Sequence, residues 1–206
     1  TTIHTRNSIG VIFNEDNGFS FNRIYDGSII DRDKLEPYYT GSVDVKYDED
    51  ENIWKMWYTS GSEWKMVNNK PEIFYHIKYA TSKNGIDWDK TYTTCIKPQN
   101  EFECTARPSV IKINGKYLMW YSRRNIIDFR TDFRNGCRGG YAESNDGINW
   151  IRKDYEFGLD ISSNASDWDS QAIAYPYVIK IKDRLIMFYN GNGFGKTGFG
   201  YAVLEE

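Results

Sequence analysis

The chain has 206 residues, of which 27% are charged and 17% aromatic, and its formal net charge is −3. This composition is typical of a globular chain that can bury a hydrophobic core. The slight acidity gives no reason to expect nucleic acid as a partner, and the absence of a long apolar run excludes a membrane-spanning helix.

Targeting and metal-binding signals are also weak. No signal peptide is visible, so the sequence favours a cytoplasmic location. The three cysteines, Cys95, Cys104 and Cys137, are odd in number and lack the spacing of a metal site. We therefore expect free structural thiols, with no metal and no cofactor.

The first predicted element in chain order is a strand and turn from Gly10 to Phe21, and its pattern occurs twice more. The turn glycines Gly18, Gly85 and Gly147 lie at similar intervals (85 − 18 = 67; 147 − 85 = 62). A period of this length is too long for a helical solenoid repeat and suits a four-stranded propeller blade with its loops.

Two further phrases follow the same period. A short strand is predicted at 41–45, 108–112 and 176–180, and each is followed by an aromatic strand at 55–60, 118–122 and 186–190. Short aromatic runs bounded by turn residues are typical of strands rather than helices. A Tyr-Ala strand, an Asn-Gly or Asp-Gly turn and a strand with Trp88 or Trp150 then complete the unit.

Turn residues separate these strands. Asn114-Gly115 is the strongest two-residue hairpin signal, and Lys182-Asp183 occupies the corresponding place in the next unit. Asn84-Gly85 and Asp146-Gly147 tolerate positive φ and return the third strand onto the fourth. No run of helical periodicity competes with this interpretation.

The sequence therefore predicts an all-β fold, a single β-propeller domain of about three and a half blades. The repeats run approximately over residues 9–76, 77–136, 137–197 and 198–206. Because closed propellers usually have four to eight blades, we expect a longer parent chain or self-association through open blade edges.

These motifs resemble the blades of the five-bladed propeller glycosidases, the arabinanase, xylosidase and invertase superfamily with its mannoside phosphorylase relatives. The resemblance runs from Ile9 to Val203 and rests on blade scaffolding. Sialidases have a similar Asp-box turn, but the turns at Gly85 and Gly147 are one residue shorter than that motif. The glycosidase resemblance is therefore preferred, and it implies a carbohydrate partner.

Glycoside hydrolysis requires two carboxyl groups, one as acid and one as base or nucleophile. Aligning Gly41, Pro108 and Pro176 places Asp44 opposite two isoleucines in the strand that lines the propeller axis. Glu103 and Asp169 lie in the loops that precede the next two axial strands, and Glu103-Cys104 is similar to the acid motif of invertases. Asp44, Glu103 and Asp169 are the predicted catalytic residues, each with a structural role as the alternative.

The same end of each repeat supplies groups that suit sugar binding. Arg107 and Tyr175 precede axial strands, and a guanidinium can clamp a carboxylate, a phosphate or sugar hydroxyls. Aromatic and amide side chains lie at or after the second strands. The predicted substrate-binding residues are Arg107, Tyr58, Trp64, Tyr121, Arg123, Arg124, Tyr175, Asn190 and Asn192.

We interpret the chain as a carbohydrate-active protein that hydrolyses or phosphorolyses a glycosidic bond with paired axial carboxylates. The arginines favour an anion site, and hence phosphorolysis or an acidic sugar, as a variant of this interpretation. The alternatives from other classes are a sugar-binding propeller without catalysis and a scaffold that docks partners.

Overall fold

The computed structural model describes residues 7–14, 18 and 20–204. Thirteen strands dominate it, and the helical segments are a short turn α1 (Asn192–Gly195) and the 3₁₀ turns Phe133–Asn135 and Asp154–Glu156. The strands are β1 (Ile12–Phe13), β2 (Asn22–Arg23), β3 (Thr40–Asp48), β4 (Ile53–Val67), β5 (Lys70–Ser82), β6 (Asp89–Thr94), β7 (Glu103–Ile113), β8 (Lys116–Asn125), β9 (Arg138–Ser144), β10 (Ile151–Arg152), β11 (Ala174–Ile181), β12 (Arg184–Asn190) and β13 (Phe199–Val203).

The strands form successive antiparallel sheets in chain order. Sheet A contains β3-β4-β5-β6, sheet B contains β7-β8-β9-β10, and sheet C contains β11-β12-β13. The short pair β1-β2 precedes them. The first strands β3, β7 and β11 contact one another in sequence, as inner strands around a propeller axis do. The predicted all-β, partial propeller is confirmed.

The hydrophobic core lies between successive sheets. Trp57 of sheet A packs with Met119 and Tyr121 of sheet B, and Trp120 packs with Met187 and Tyr189 of sheet C. Alternate residues of each aromatic strand therefore face the preceding and the following sheet, as the two-residue period of a strand requires. Phe188 occupies the position of Trp57 and Trp120 in register but lies on the open face of sheet C.

The repeat boundaries read from the sequence are out of phase with the sheets. The boundary at residue 77 falls within β5, which pairs with β4 along nearly its whole length. A repeated sequence can be cut into units at any point along its period. Only the strand pairing shows which segments share a sheet. The turn predicted around Asp16 lies outside the described residues.

The turns have the predicted chemistry. Asn114 and Gly115 have φ values of 51° and 80°, which fit the hairpin between β7 and β8. Gly147 has a φ of 77°, and the Asp146 carboxylate accepts hydrogen bonds from the N–H groups of Ile148 and Asn149 at 2.8 and 2.7 Å. In the preceding sheet, Asn84 accepts the same two hydrogen bonds.

This pair of turns predicts a pH-dependent difference in stability. Burial alone would raise the pKa of Asp146, but hydrogen bonds from Asn149, Ile148 and Ser144 lower it well below its usual 3.8. Since the folded-state pKa is depressed, the carboxylate stabilises the fold above the unfolded-state pKa, and this contribution is lost as the pH falls through the folded-state value. We expect Asp146→Asn to lower the free energy of unfolding more at pH 7 than at pH 2.

Urea titrations of both proteins at the two pH values measure this difference. Asn84 shows that an amide can close the turn, so the variant is expected to fold. An equal loss at pH 7 and pH 2 would show that the carboxylate charge does not contribute.

Candidate functional site

Each inner strand contains a β-bulge at the same place. The register shifts between Gly41 and Asp44, between Ala106 and Ser109, and between Ala174 and Tyr177. The first bulged residues are Ser42, Arg107 and Tyr175, with φ values of 46°, 55° and 58°. Left-handed φ costs a non-glycine residue roughly 1–2 kcal/mol, and bulges of this kind re-aim side chains next to binding sites.

Neighbouring sheets hold the bulges in place. The N–H of Arg107 donates to the Thr59 hydroxyl at 3.2 Å, and the N–H of Tyr175 donates to the Ser122 hydroxyl at 2.7 Å. Pro108 and Pro176 follow the bulged residues, where a missing backbone donor is tolerated. The backbones of Arg107 and Tyr175 are therefore held in place by the sheet that precedes each residue.

A cleft opens beside these three residues. Its volume is about 490 Å³, and its lining consists of Tyr39, Ser42, Tyr75, Ala106, Arg107, Tyr175, Tyr177, Phe188, Tyr189, Asn190 and Phe199. The lining is rich in aromatic rings and carries one arginine. Among the described residues, no carboxylate contributes to the lining. This is the candidate functional site.

A larger groove, of about 830 Å³, lies elsewhere, at the outer strands of sheets A and B. It is lined by residues such as Thr93, Cys95, Lys116, Asn145 and Arg152. The inner-strand bulges do not reach it, and its lining includes none of the predicted substrate-binding residues. We therefore place the site at the smaller cleft.

The alignment used to single out Asp44 is wrong by two residues. Asp44 pairs with Trp57 in register, as Ser109 pairs with Trp120, so Asp44 corresponds to Ser109 rather than to Ile111. The bulge has no sequence signature of its own in the first repeat, because Val43 stands where the later repeats have proline. Arg107 and Tyr175 likewise correspond to Ser42.

Asp44 connects two inner strands. Its Oδ2 accepts a hydrogen bond from the N–H of Val110 at 2.5 Å, and its Oδ1 lies 3.2 Å from the Lys46 ammonium. Burial raises the pKa of Asp44 despite the nearby Lys46 charge. The Ser109 hydroxyl accepts the corresponding bond from Val178 at 2.9 Å, so this contact is a repeated link between sheets.

Glu103 is buried at the start of β7, and both of its carboxylate oxygens have hydrogen-bond partners. Its two carboxylate oxygens accept hydrogen bonds from the Arg152 guanidinium at 2.6 and 2.7 Å. The N–H of Gln99 adds a bond of 2.6 Å. Arg152 also pairs with Asp154 at 2.6 Å, which makes Glu103 one member of a buried ionic network.

Asp169 belongs to a different repeated contact. It accepts a hydrogen bond of 2.9 Å from the hydroxyl of Tyr189. The preceding aromatic-strand tyrosines behave in the same way, since Tyr58 donates to Glu36 and Tyr121 donates to Asp154. Asp169 therefore takes part in a repeated contact of the scaffold and does not line the cleft.

Tyr58 and Tyr121 were predicted to bind substrate, and their burial contradicts this prediction. Both side chains have 0% exposure. Tyr121 packs against sheet A and Tyr58 packs with Ile9 and Ile30, and burial raises the pKa of each hydroxyl well above the usual value of 10.0. The sequence pattern could not separate a core tyrosine from a cleft tyrosine, because both lie in aromatic strands.

Three further predicted binding residues have structural partners or lie apart from the cleft. The Asn192 side chain accepts from the N–H of Gln171 at 2.7 Å and donates to the Asp167 carbonyl at 3.2 Å. Arg123 lies 3.2 Å from Asp154. Trp64 is half-buried on the long β4–β5 hairpin and does not line the cleft.

The structure does bring Arg107, Tyr175 and Asn190 together in the cleft. Arg124 lies behind the cleft wall, with its guanidinium carbon 5.3 Å from the centre of the Tyr75 ring. Asn190 occupies the register position of Thr59 and Ser122, the hydroxyl acceptors of the bulges.

Sequence reasoning missed Tyr39 and Tyr75, which also line the cleft. Tyr75 lies opposite Gly61 in the extended part of the β4–β5 hairpin. The Asn68-Asn69 step, with φ values of 49° and 60°, is the signal that could have located this hairpin. Tyr39 directly precedes β3, and Cys104 takes the equivalent position in the next repeat.

Cys95, Cys104 and Cys137 are free and buried. In the part of the chain that the structure describes, no group of three or more His, Cys, Asp or Glu side chains could hold a metal ion. Within the same residues, no helix has both the length and the apolar character to cross a membrane.

The known proteins that are similar to this chain are longer than it. No family model matches it. Proteins from two strains of Mycobacterium tuberculosis, described only as uncharacterized, are 33% identical over 206 residues, which is 100% of this chain and 64% of theirs. The chain thus spans less than two thirds of the length of these relatives.

Solved structures share the fold. A thermostable family-43 glycoside hydrolase has a TM-score of 0.64 and 18% identity, covering 90% of this chain and 59% of its own. A family 117 glycoside hydrolase from the marine bacterium Zobellia galactanivorans has a TM-score of 0.63 and 18% identity, covering 86% and 56%. A further glycoside hydrolase has a TM-score of 0.63 and 19% identity, covering 90% and 52%.

These similarities confirm the fold that the resemblance implied. The chain shares its blade architecture with these glycoside hydrolases and corresponds to a little over half of each of these structures. Since one fold carries many activities, function is argued from the site.

Proposed function

We propose that this chain is part of a carbohydrate-active β-propeller and that its cleft binds a sugar. The observation that carries the proposal is the lining of the cleft, which combines tyrosine rings and Asn190 with Ser42, Arg107 and Tyr175, the bulged residues of three inner strands. A sugar ring needs a flat apolar surface with polar groups around it, and these side chains supply both. The glycoside hydrolases that share the fold support the same class of ligand.

Hydrolysis or phosphorolysis is the second candidate. Its candidate acid is Asp44, which lies on β3 two residues after the bulged Ser42 and outside the lining of the cleft. Burial raises the pKa of Asp44, which is the direction that a general acid requires. Two carboxyl groups are needed for hydrolysis, and Glu103 and Asp169 are the candidates for the second. Each would have to leave its present partner, Arg152 or Tyr189, to act on a substrate.

One experiment compares the two candidates. We expect neutral oligosaccharides to bind the chain in calorimetric titrations, and Tyr175→Ala to weaken binding by about tenfold because an aromatic stacking surface is lost. Tyr155→Ala is the matched control, since Tyr155 is 84% exposed and does not line the cleft. Turnover of aryl glycosides is measured in parallel with Asp44→Asn.

Binding that depends on Tyr175, without turnover, supports a sugar-binding cleft. Turnover that Asp44→Asn abolishes in a folded protein supports the hydrolase and its acid. If neutral oligosaccharides bind the Tyr175→Ala variant as well as the unmodified chain, the proposed site is wrong.

A further inference from the structure

Arg124 is a cation that has no counter-ion among the described residues. Within residues 7–14, 18 and 20–204, its guanidinium forms no hydrogen bond or salt bridge, and its Nε is buried without a partner. The guanidinium carbon lies 3.6 Å from the centre of the Phe129 ring, 5.3 Å from that of Tyr75 and 5.9 Å from that of Phe194. Aromatic faces attract a cation but do not satisfy its N–H groups.

Three other arginines differ from Arg124 in this respect. They are paired with carboxylates: Arg123 with Asp154 at 3.2 Å, Arg130 with Glu72 at 2.6 Å and Arg152 with Glu103 at 2.6 Å. Since an arginine stays charged at all ordinary pH values, an unpaired and partly buried one carries an uncompensated desolvation cost. An anion from outside the chain would compensate it.

Arg107 supplies a second guanidinium at the same cleft. Its backbone N–H is fixed on Thr59, and its exposed side chain lines the cleft without a salt bridge to any described residue. Both guanidinium groups act on the same neighbour: burial raises the pKa of the Tyr175 hydroxyl, and the charges of Arg124 and Arg107 oppose that shift. Two uncompensated positive charges therefore adjoin one cleft whose described lining has no carboxylate.

We propose that this cleft binds a sugar through an oxyanion group, a carboxylate or a phosphate, which the guanidinium group of Arg107 holds and which the positive charge of Arg124, behind the cleft wall, attracts. The planar fork of a guanidinium matches both oxyanions with paired N–H donors. Tyr75 and Tyr175 lie beside the same space and provide the stacking surface for the ring. The sugar part of this inference rests on the proposed function, and the anion part rests on the two arginines.

The test uses ligand pairs that differ only in the anion. Methyl uronides of gluco, galacto and manno configuration are titrated against the matching neutral methyl glycosides by calorimetry, together with the corresponding sugar 1-phosphates and inorganic phosphate. We expect at least one anionic ligand to bind roughly tenfold to a hundredfold more tightly than its neutral partner, as for a charge-assisted hydrogen bond. Tighter binding of a uronide would identify the anion as a carboxylate, and tighter binding of a sugar phosphate would identify it as a phosphate.

The variants are Arg124→Met and Arg107→Met, with Arg130→Met as the matched control. Arg130 also stacks on Phe129, at 4.0 Å, but it is 60% exposed and already paired with Glu72. We expect each of the two test variants to lose most of the preference for the anion, and the control to keep it. Arg107 lies on the surface, so its variant remains informative if Arg124→Met does not fold.

The outcomes separate the two proposals. Equal binding of uronides, sugar phosphates and neutral glycosides would overturn the anion site and leave the sugar-binding cleft standing. Binding of inorganic phosphate alone, lost in Arg107→Met, would support the anion site and contradict the sugar. If no ligand binds, both proposals are wrong.

Discussion

Replacement of Arg152 by methionine is expected to lower the free energy of unfolding by about 3–5 kcal/mol, the usual cost of removing one partner from a buried ion pair. The Arg152 side chain is 14% exposed and holds Glu103 at 2.6 Å and Asp154 at 2.6 Å. Those carboxylates are 5% and 10% exposed, so they would be left buried without their main positive partner.

Urea unfolding followed by circular dichroism measures this change. Arg134→Met is the matched control: Arg134 pairs with Asp132 at 2.7 Å but is 90% exposed, so no measurable loss is expected there. Arg152→Lys keeps the charge and loses the second arm of the fork, and we expect an intermediate result. If Arg152→Met resembles the surface control, Glu103 is not held by this pair and becomes available as a catalytic acid.

Replacement of Trp57 by alanine is expected to cost about 3–5 kcal/mol, as large-to-small changes of a core aromatic do. Trp57 has 0% exposure and packs against Tyr79, Tyr117 and Trp150, with ring centroids 5.8, 5.9 and 6.2 Å away. Its indole N–H also donates to the Gly147 carbonyl at 2.7 Å. The change therefore opens a cavity and removes a hydrogen bond between sheets A and B.

Phe188→Ala is the matched control for Trp57. Both residues occupy the same register position on the second strand, but Phe188 is 36% exposed on the open face of sheet C. We expect a clearly smaller loss for Phe188→Ala in the same urea titration. Equal losses would mean that the interface between sheets A and B is not packed as the structure shows.

Much of the fold could be predicted from local signals. The aromatic strands, the Asn114-Gly115 hairpin and the Asp146-Gly147 turn are determined by residues that are adjacent in the chain. The repeat then extended each local signal to three places. These elements form as predicted because their chemistry does not depend on distant partners.

The candidate site was predictable only in part. Arg107 and Tyr175 were found because they precede prolines in two repeats, and Ser42 was missed because Val43 replaces the proline. Tyr58 and Tyr121 were misassigned because a strand sequence does not show which face is covered by the next sheet. Asp44 was aligned two residues away from its true counterpart, Ser109, because a bulge changes register without changing composition.

The sequence by itself determined the strand order, the hairpins and the propeller class, because period and turn chemistry are local properties of the chain. Only the tertiary structure decided the partners of each charged group: Glu103 with Arg152, Asp169 with Tyr189, and Arg124 with aromatic rings but no carboxylate among the described residues. These partners come from segments that are distant in sequence and meet when the sheets pack. Burial and pairing set the chemistry of an ionisable side chain, and both depend on that packing.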